Sequence, residues 1–484
     1  MGVVFRPRAE FVPRSNNYRL LPFRFEPLDA NRVVLTNLVG EFEVMERSSF
    51  SAFAAHQLAA DSQPYTALKS RHFLVDDTSS VALDLLAVKA RTRSEPVAEF
   101  TALHMFVVTL RCDHSCGYCQ VSRQTSDKTA FDMSESHAEK ALDFVFRSPA
   151  SNLKIEFQGG EPLLNFELIK RIVLAAEERN RHAHRNLQFV IASNLSQLSD
   201  EMIRFAGDHG IFFSTSLDGP ADLHNSNRAR PGKNSYELAI AGIERVRHEL
   251  GVDRVSALMT TTPESLKRGR EIVDEYARQG FRSIFLRPIS PYGFAVRSKF
   301  VRGYSPDEWL RFYTDTLAYI LELNRDGLDF REDFSTIVLR KMLTPYGTGY
   351  VDLQSPAGLG ISGVVYNYNG AVYASDEARM LAEMGEPRFQ LGHLDVDSYE
   401  QVFTSGALLE PLAETVLESV PMCSDCAFLP YCGSDPVYHW AVQRDLVGHK
   451  AKSAFCQRNM AIFKHLIRLL EDDPAAAAVL RRWV

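Results

Sequence analysis

Arg111-Cys112-Asp113-His114-Ser115-Cys116-Gly117-Tyr118-Cys119, residues 111–119, follows directly on the apolar run Ala102 to Leu110. An apolar run of this length bounded by a loop reads as a buried strand. The loop after it carries a Cys-x3-Cys-x2-Cys set. Three thiolates on one short loop suit a 4Fe-4S cluster, which takes four ligands, so one iron would stay open for an exogenous group. The same spacing also admits zinc with a fourth ligand, His114 being the nearest candidate. Position sharpens the choice, because loops at the C-terminal ends of parallel strands are where barrel folds carry their chemistry.

Outward from that loop the chain alternates apolar strands with amphipathic helices. The strands read as Ala102 to Leu110, Leu153 to Phe157, Leu187 to Ala192, Ile211 to Leu217, Val255 to Thr260 and Ser283 to Pro288. Asn165 opens one intervening helix, Ser199 opens a second that stops at Gly210, and Ser235 opens a third that stops at Gly251. Six βα units with right-handed crossovers predict an α/β fold, a parallel sheet curled into a partial (β/α)6 barrel. Before it, residues 1–95 read as a small cysteine-free α+β module, with strands at Arg32 to Leu38 and Glu41 to Met45 and a helix at Ser49 to Ala60. The barrel takes 100–325. Residues 345–470 form a third unit, with a hairpin from Val364 to Tyr373 around Asn369-Gly370 and a second cysteine group.

The chain has 484 residues, enough for more than one core. Its formal charge of −7 lacks the basic excess that general phosphate binding needs, so nucleic acid is not an expected partner. Apolar runs fall far short of the roughly 18 to 20 residues that span a bilayer, and no membrane partner is expected. Arg6, Arg8 and Arg14 interrupt any secretory h-region, which predicts a cytoplasmic protein. The seven cysteines are odd in number and tightly grouped, a pattern of metal or cluster ligation in a reducing compartment. The second group, Cys423-x2-Cys426-x5-Cys432 followed by Cys456, fits structural zinc and iron–sulfur equally well from spacing alone.

Motifs in strand order carry a resemblance. Cys112, Cys116 and Cys119, with Tyr118 before the last cysteine, resemble the cluster loop of the radical S-adenosylmethionine (SAM) superfamily. Gly159-Gly160-Glu161-Pro162 follows the second strand like the segment that meets the SAM amino group in that superfamily. Ser193-Asn194 ends the third strand, where the family places a polar ribose contact. Ser216 ends the fourth, and Arg228 lies twelve residues on, resembling the ribose and carboxylate contacts of the peptide-modifying branch. A hydroxyl suits a ribose and a guanidinium suits a carboxylate. A helix cap for Ser193 and an ion pair for Arg228 are the plain alternatives.

The second cysteine group is similar to the SPASM domain of radical SAM enzymes that modify peptides. A full SPASM domain has two auxiliary clusters, but here Ser355, Ser375 and Pro436 stand where the resemblance expects further cysteines. The resemblance therefore implies one auxiliary 4Fe-4S cluster on Cys423, Cys426, Cys432 and Cys456, besides the one on Cys112, Cys116 and Cys119. The whole chain, including Leu21-Pro22-Phe23-Arg24-Phe25 and Leu35-Thr36-Asn37-Leu38-Val39-Gly40-Glu41-Phe42, resembles the HxsB-type maturases of the His-Xaa-Ser peptide system. That implies reductive SAM cleavage and hydrogen abstraction from a ribosomally made precursor peptide. It also implies an external electron donor, a small partner protein and a second radical SAM maturase of the same system. The N-terminal module loosely resembles leader-peptide binders that add a strand to a sheet edge, with a structural cap on the barrel as the alternative. Asp376 falls where sulfatase-maturing relatives have a Cys-Asp pair with a basic aspartate, while a solvated hairpin carboxylate is the alternative. Rival readings are a radical SAM enzyme acting on RNA and a noncatalytic zinc-stabilised peptide-binding protein.

Overall fold

The structure, a computed structural model, describes residues 18–79, 81–98, 100–297 and 303–484. Arg6, Arg8 and Arg14 lie outside the described residues. Five parallel strands form the barrel wall: β1 (Leu103–Thr109), β2 (Asn152–Gly159), β3 (Asn186–Ala192), β4 (Phe212–Ser216) and β5 (Val255–Leu258). They stand side by side in chain order, β1 against β2 from Leu103↔Lys154 onward and β5 against β4 from Val255↔Phe213 onward. β1 is central, and its His104 to Thr109 are all buried, as a parallel strand covered on both faces requires. Helices return between strands with local stop signals. Ser134 and Ser199 accept from His137 N and Met202 N at helix starts, and Gly251, at φ 113°, ends Ser235–Leu250.

The α/β partial-barrel architecture read from the sequence is observed, with one difference in its sixth unit. Of the stretch Ser283 to Pro288, only Ser283–Ile284 is strand, and it pairs with Arg331–Glu332 rather than with β5. A single bond, Thr261 N to Arg287 O at 2.8 Å, joins that stretch to the chain just beyond β5. Pro288 has no N–H to continue a ladder. The sheet grows instead on the other side of β1. Gly363–Tyr366 pairs with it in parallel, and Ala371–Tyr373 and Gln390–His393 follow antiparallel, giving eight strands in all. The hairpin around Gly370 (φ 89°) is therefore an extension of the barrel sheet.

Ahead of the barrel, Phe23–Pro27, Arg32–Asn37 and Phe42–Glu46 form a separate antiparallel sheet with its own small core, including Leu35, Phe53, Tyr65 and Phe73. This module is fastened to the C-terminal cysteine segment. Thr36 Oγ1 donates to Ala427 O at 2.6 Å, Tyr431 OH to Gly40 O at 2.8 Å, and Lys464 pairs with Glu26 at 2.8 Å. The cap it forms thus lies over residues 424–464. Among the described residues no helix is long and apolar enough to cross a membrane.

Candidate active site

The cysteine loop leaves β1 where two backbone strands approach too closely for any side chain. Gly160 N donates to Thr109 O at 2.9 Å and Glu161 N to Arg111 O at 2.7 Å. A Cβ on Gly159 (φ 153°) would lie 2.0 Å from Thr109 O, and one on Gly160 2.3 Å from Arg111 O. The glycine pair is thus required to seat the loop against β2. Arg111 clamps the base of the loop on Asp132 with two bonds of 2.7 and 2.8 Å. Beyond it, Cys112, Cys116 and Cys119 line one cavity of about 250 Å³ at the C-terminal strand ends. Tyr118, Gly159, Gly160, Ser193, Asn194, Ser216, Arg228 and Asp376 line the same cavity. Of the residues singled out for the cofactors of this site, Glu161 alone does not. Its carboxylate turns inward and accepts from Leu163 N, Ser193 Oγ and Asn194 N at 2.7–3.1 Å. Burial raises its pKa to about 7. Glu161 therefore positions Ser193 and Asn194, the two polar residues that end β3.

Three further residues organise the cavity without having been read as site residues. Asp218, fully buried, accepts from Tyr118 OH at 2.6 Å and from Arg228 Nε at 3.2 Å. Burial works against the Arg228 charge, and Asp218 with Tyr118 outweighs it, leaving the pKa raised. Asp113 accepts from Asn194 Nδ2 at 3.0 Å and Ser196 Oγ at 2.6 Å, and pairs with His114 Nδ1 at 2.9 Å. Burial opposes its charge too, but these bonds hold its pKa low. Arg287 also lines the cavity. The sequence signals were present, in the Asp within the cysteine loop, the Asp after Ser216 and the Arg before Pro288, but nothing in spacing alone shows which acid meets which base.

The donor set fits an iron–sulfur cluster better than zinc. His114, the candidate fourth zinc ligand, has both ring nitrogens engaged, Nδ1 with Asp113 and Nε2 with Ser235 Oγ at 2.8 Å. A tetrahedral zinc with bonds of about 2.3 Å needs sulfurs about 3.8 Å apart. Among the described residues the only trio of ligand atoms within 4.8 Å of one another is Cys112, Asp113 and His114, so the three thiols are spread wider than one zinc ion allows. Burial raises the Cys112 pKa, and that of Cys116 to about 12, so bare thiolates are disfavoured and a positive centre is needed to hold them.

Asp376 opens the helix Asp376–Ala382 and faces the cavity, with its carboxylate 3.2 Å from Arg379 Nε. A solvated hairpin position is not what the structure gives it. Arg379 is 1% exposed and also donates to Val121 O, which fixes the pair against the loop after Cys119. The second cysteine group stands apart, beneath the N-terminal module. Charge on Cys432 acts on each of Cys423, Cys426 and Cys456, whose pKa values burial raises to about 11, 12 and 11. The three positions read as lost cysteines have local tasks. Ser375 Oγ caps its helix at Ala378 N, Ser355 Oγ bridges Leu417 N and Glu418, and Pro436 starts the helix Pro436–Gln443.

Residues 106–276 match the Radical SAM superfamily. The chain is 26% identical over 211 residues to a cysteine-type anaerobic sulfatase-maturating enzyme of Clostridium perfringens (strain 13 / Type A), covering 42% of this chain and 55% of that enzyme. Among solved structures, anSMEcpe with bound AdoMet superposes with a TM-score of 0.63 at 14% identity, over 78% of this chain and 99% of that one. Streptococcus suis SuiB bound to precursor peptide SuiA superposes with a TM-score of 0.53 at 15% identity, over 92% and 99%. The barrel is a radical SAM core, and the chain is an enzyme. The superfamily takes SAM and a 4Fe-4S cluster.

Proposed function

We propose that the chain is a peptide maturase that binds SAM at the Cys112 loop and modifies a ribosomally made precursor, a His-Xaa-Ser repeat peptide in the HxsB-type reading. The observation that carries this is the single cavity in which three cysteines, the polar ends of β3 and β4, Arg228 and Asp376 meet. Cys112, Cys116 and Cys119 would hold the cluster through three irons. When bound, the cluster with SAM supplies one-electron cleavage of SAM and abstraction of a substrate hydrogen atom.

The chain's own residues do the positioning. Arg228, steadied by Asp218 and lying over the Tyr118 ring at 5.5 Å, offers a guanidinium to a carboxylate. Ser216 offers a hydroxyl to a ribose, Ser193, whose proton goes to Glu161, offers an acceptor oxygen, and Gly159-Gly160 lines the cavity where the resemblance sets an amino group. Asp376, paired with Arg379 and lining the cavity, would take a proton at a carboxylate oxygen from a peptide group held there. Cys423, Cys426, Cys432 and Cys456 form the proposed second cluster site. The N-terminal module, with an outer sheet strand at Phe23–Pro27, is the proposed leader-binding unit, since a strand edge accepts an extended peptide. The SuiB likeness over 92% of this chain supports that layout.

The test is anaerobic reconstitution followed by incubation with SAM, a reductant and a His-Xaa-Ser precursor. The expected result is 5′-deoxyadenosine with a mass change on the peptide. SAM cleavage with an unmodified precursor, leader and partner protein present, would overturn the substrate assignment.

A further inference from the structure

A second cavity lies beside the first, and nothing assigned so far uses it. It is bounded by the extended stretch 285–292 and by the starts of the helices Asp376–Ala382 and Pro436–Gln443. Its volume of about 60 Å³ is room for roughly four to six waters, the size of one side-chain head group.

Its lining is unusual in charge. Asp352, Glu377 and Asp435 face it together with Arg287 and Arg458. When all three acids are ionised, three carboxylates against two guanidiniums leave one negative charge in excess. The neighbouring Asp376 is balanced by Arg379. Glu377 has only a 3.7 Å contact with Arg287, and its side chain keeps 21% exposure. Burial raises the pKa of all three acids, Glu377 to about 7, which is the expected response of carboxylates short of positive charge.

A second observation points to an occupant. Tyr292 and Trp309, 1% and 3% exposed, line this cavity, and the Tyr292 hydroxyl and Trp309 Nε1 have no hydrogen-bond partner among the described residues. Buried polar atoms are seldom left unsatisfied without a ligand or water to meet them. A metal ion does not fit, because the three carboxylates fail to converge within 4.8 Å and a divalent charge would overshoot. Arg458 already lies over the Trp309 ring at 6.0 Å, and the rest of the aromatic wall, Tyr350 and Phe334, favours an organic cation. Position favours one carried on a peptide. Arg287 lines both cavities, and Glu377 follows Asp376, so the two cavities adjoin and one peptide could enter both.

We propose that this cavity receives one singly charged cationic side chain of the peptide substrate, from lysine, arginine or protonated histidine. It deepens the maturase reading and rests on it.

The test titrates the full-length protein with N-acetyl methylamides of lysine, arginine and histidine, using those of norleucine and glutamate as controls, and reads tryptophan fluorescence. The chain has two other tryptophans, Trp440 and Trp483, so a change lost in Trp309→Phe is assigned to this cavity. At least one cationic amide should give a saturable change and both controls none. Glu377→Gln should weaken binding roughly tenfold or more, the loss of a charged hydrogen bond. Tyr292→Phe should weaken it about threefold to tenfold without lowering thermal stability, since the hydroxyl it removes bonds nothing in the empty protein. No saturable response to any cationic amide, equal response to norleucine, or full affinity in Glu377→Gln would overturn the proposal. Binding of free lysine or putrescine without binding of the blocked amides would overturn the peptide assignment. SAM cleavage measured on the same preparation separates the two claims. Cleavage without binding removes the pocket alone, and binding without cleavage removes the maturase reading and the peptide assignment with it.

Discussion

Cys112, Cys116 and Cys119 stand at the rim of a cavity of about 250 Å³ into which Ser193, Ser216, Arg228 and Asp376 also project. Cys423, Cys426, Cys432 and Cys456 stand beneath a three-stranded sheet whose Thr36 and Arg24 bond the backbone at Ala427 and Ser424, between the first three of them. Burial disfavours the bare thiolate at Cys112 and Cys116 in the first group and at Cys423, Cys426 and Cys456 in the second. They differ in ligand number and in what surrounds the thiols. In the proposed reading three cysteines would leave one cluster position open, and polar groups line the same cavity. Four cysteines would close a site, and the module packed on them ties residues distant in sequence to one another. The difference would separate a place where chemistry happens from one that fastens the fold or relays an electron.

The strongest way to break this comparison is to remove each group in turn. Cys112→Ala, Cys116→Ala and Cys119→Ala together should lower iron from about eight to about four per chain and abolish 5′-deoxyadenosine formation. Replacing the other four by alanine should also leave about four irons, but lower the unfolding midpoint. If the triple variant still cleaves SAM, or the wild type holds about twelve irons, the division of labour is wrong.

A sharper cut falls on the acid that organises the cavity. Arg228→Ala leaves Asp218 buried with Tyr118 as its one remaining side-chain partner, and losing one member of a buried ion pair costs about 3 kcal/mol or more. Urea unfolding should show that loss together with a collapse of SAM affinity by calorimetry. Asp218→Asn in the same background should recover much of the stability and none of the affinity. If stability stays low, the cost lies elsewhere than in the uncompensated charge.

The contrast between the groups also explains what was legible in the sequence. β1 announced itself because a strand covered on both faces is continuously apolar, β2 by the alternation of Leu153, Ile155 and Phe157 with polar residues, and the cysteine spacing lies within one loop. Residues 283–288 looked like a sixth strand by the same rule, yet apolar content cannot show that Pro288 breaks the ladder or that Gly363–Tyr366 takes the place beside β1. Ser193 and Arg228 were legible because they end strands or follow them at fixed spacing. Asp218, Asp113 and the inward turn of Glu161 were not, since each depends on which buried donors fold brings near it. The module's seat on residues 424–464 is a contact between segments about 400 residues apart, which no local pattern encodes.

Asp376 tests whether the first site does more than hold its cofactors. Asp376→Asn keeps the helix start and nearly the same volume but removes the base. SAM cleavage should stay within about twofold, while modified peptide falls by roughly 10²- to 10⁴-fold, the usual range for a positioned general base. Mass spectrometry of the precursor beside chromatography of 5′-deoxyadenosine reads both. Full modification by the variant would reduce Asp376 to the partner of Arg379.

The smallest expected effect probes the other side of the comparison, the seat of the N-terminal module on the second cysteine group. Thr36 is fully buried and its hydroxyl donates to Ala427 O at 2.6 Å, one residue past Cys426. Thr36→Val keeps the shape and leaves that carbonyl without its side-chain donor, at a cost of about 1 kcal/mol. The cost should appear as local opening around Ala427, since the flanking contacts of the module, Arg24 with Ser424 O and Tyr431 OH with Gly40 O, remain in place. Amide exchange at Cys426 and Phe428, whose N–H groups bond Cys423 O and Cys426 Sγ, should speed up about fivefold, the factor that 1 kcal/mol gives. SAM cleavage should not change, since the cavity of the first site lies outside this seat. Exchange that stays at the wild-type rate would mean the cluster segment holds its own fold and the module merely rests on it, leaving leader binding as the module's whole purpose.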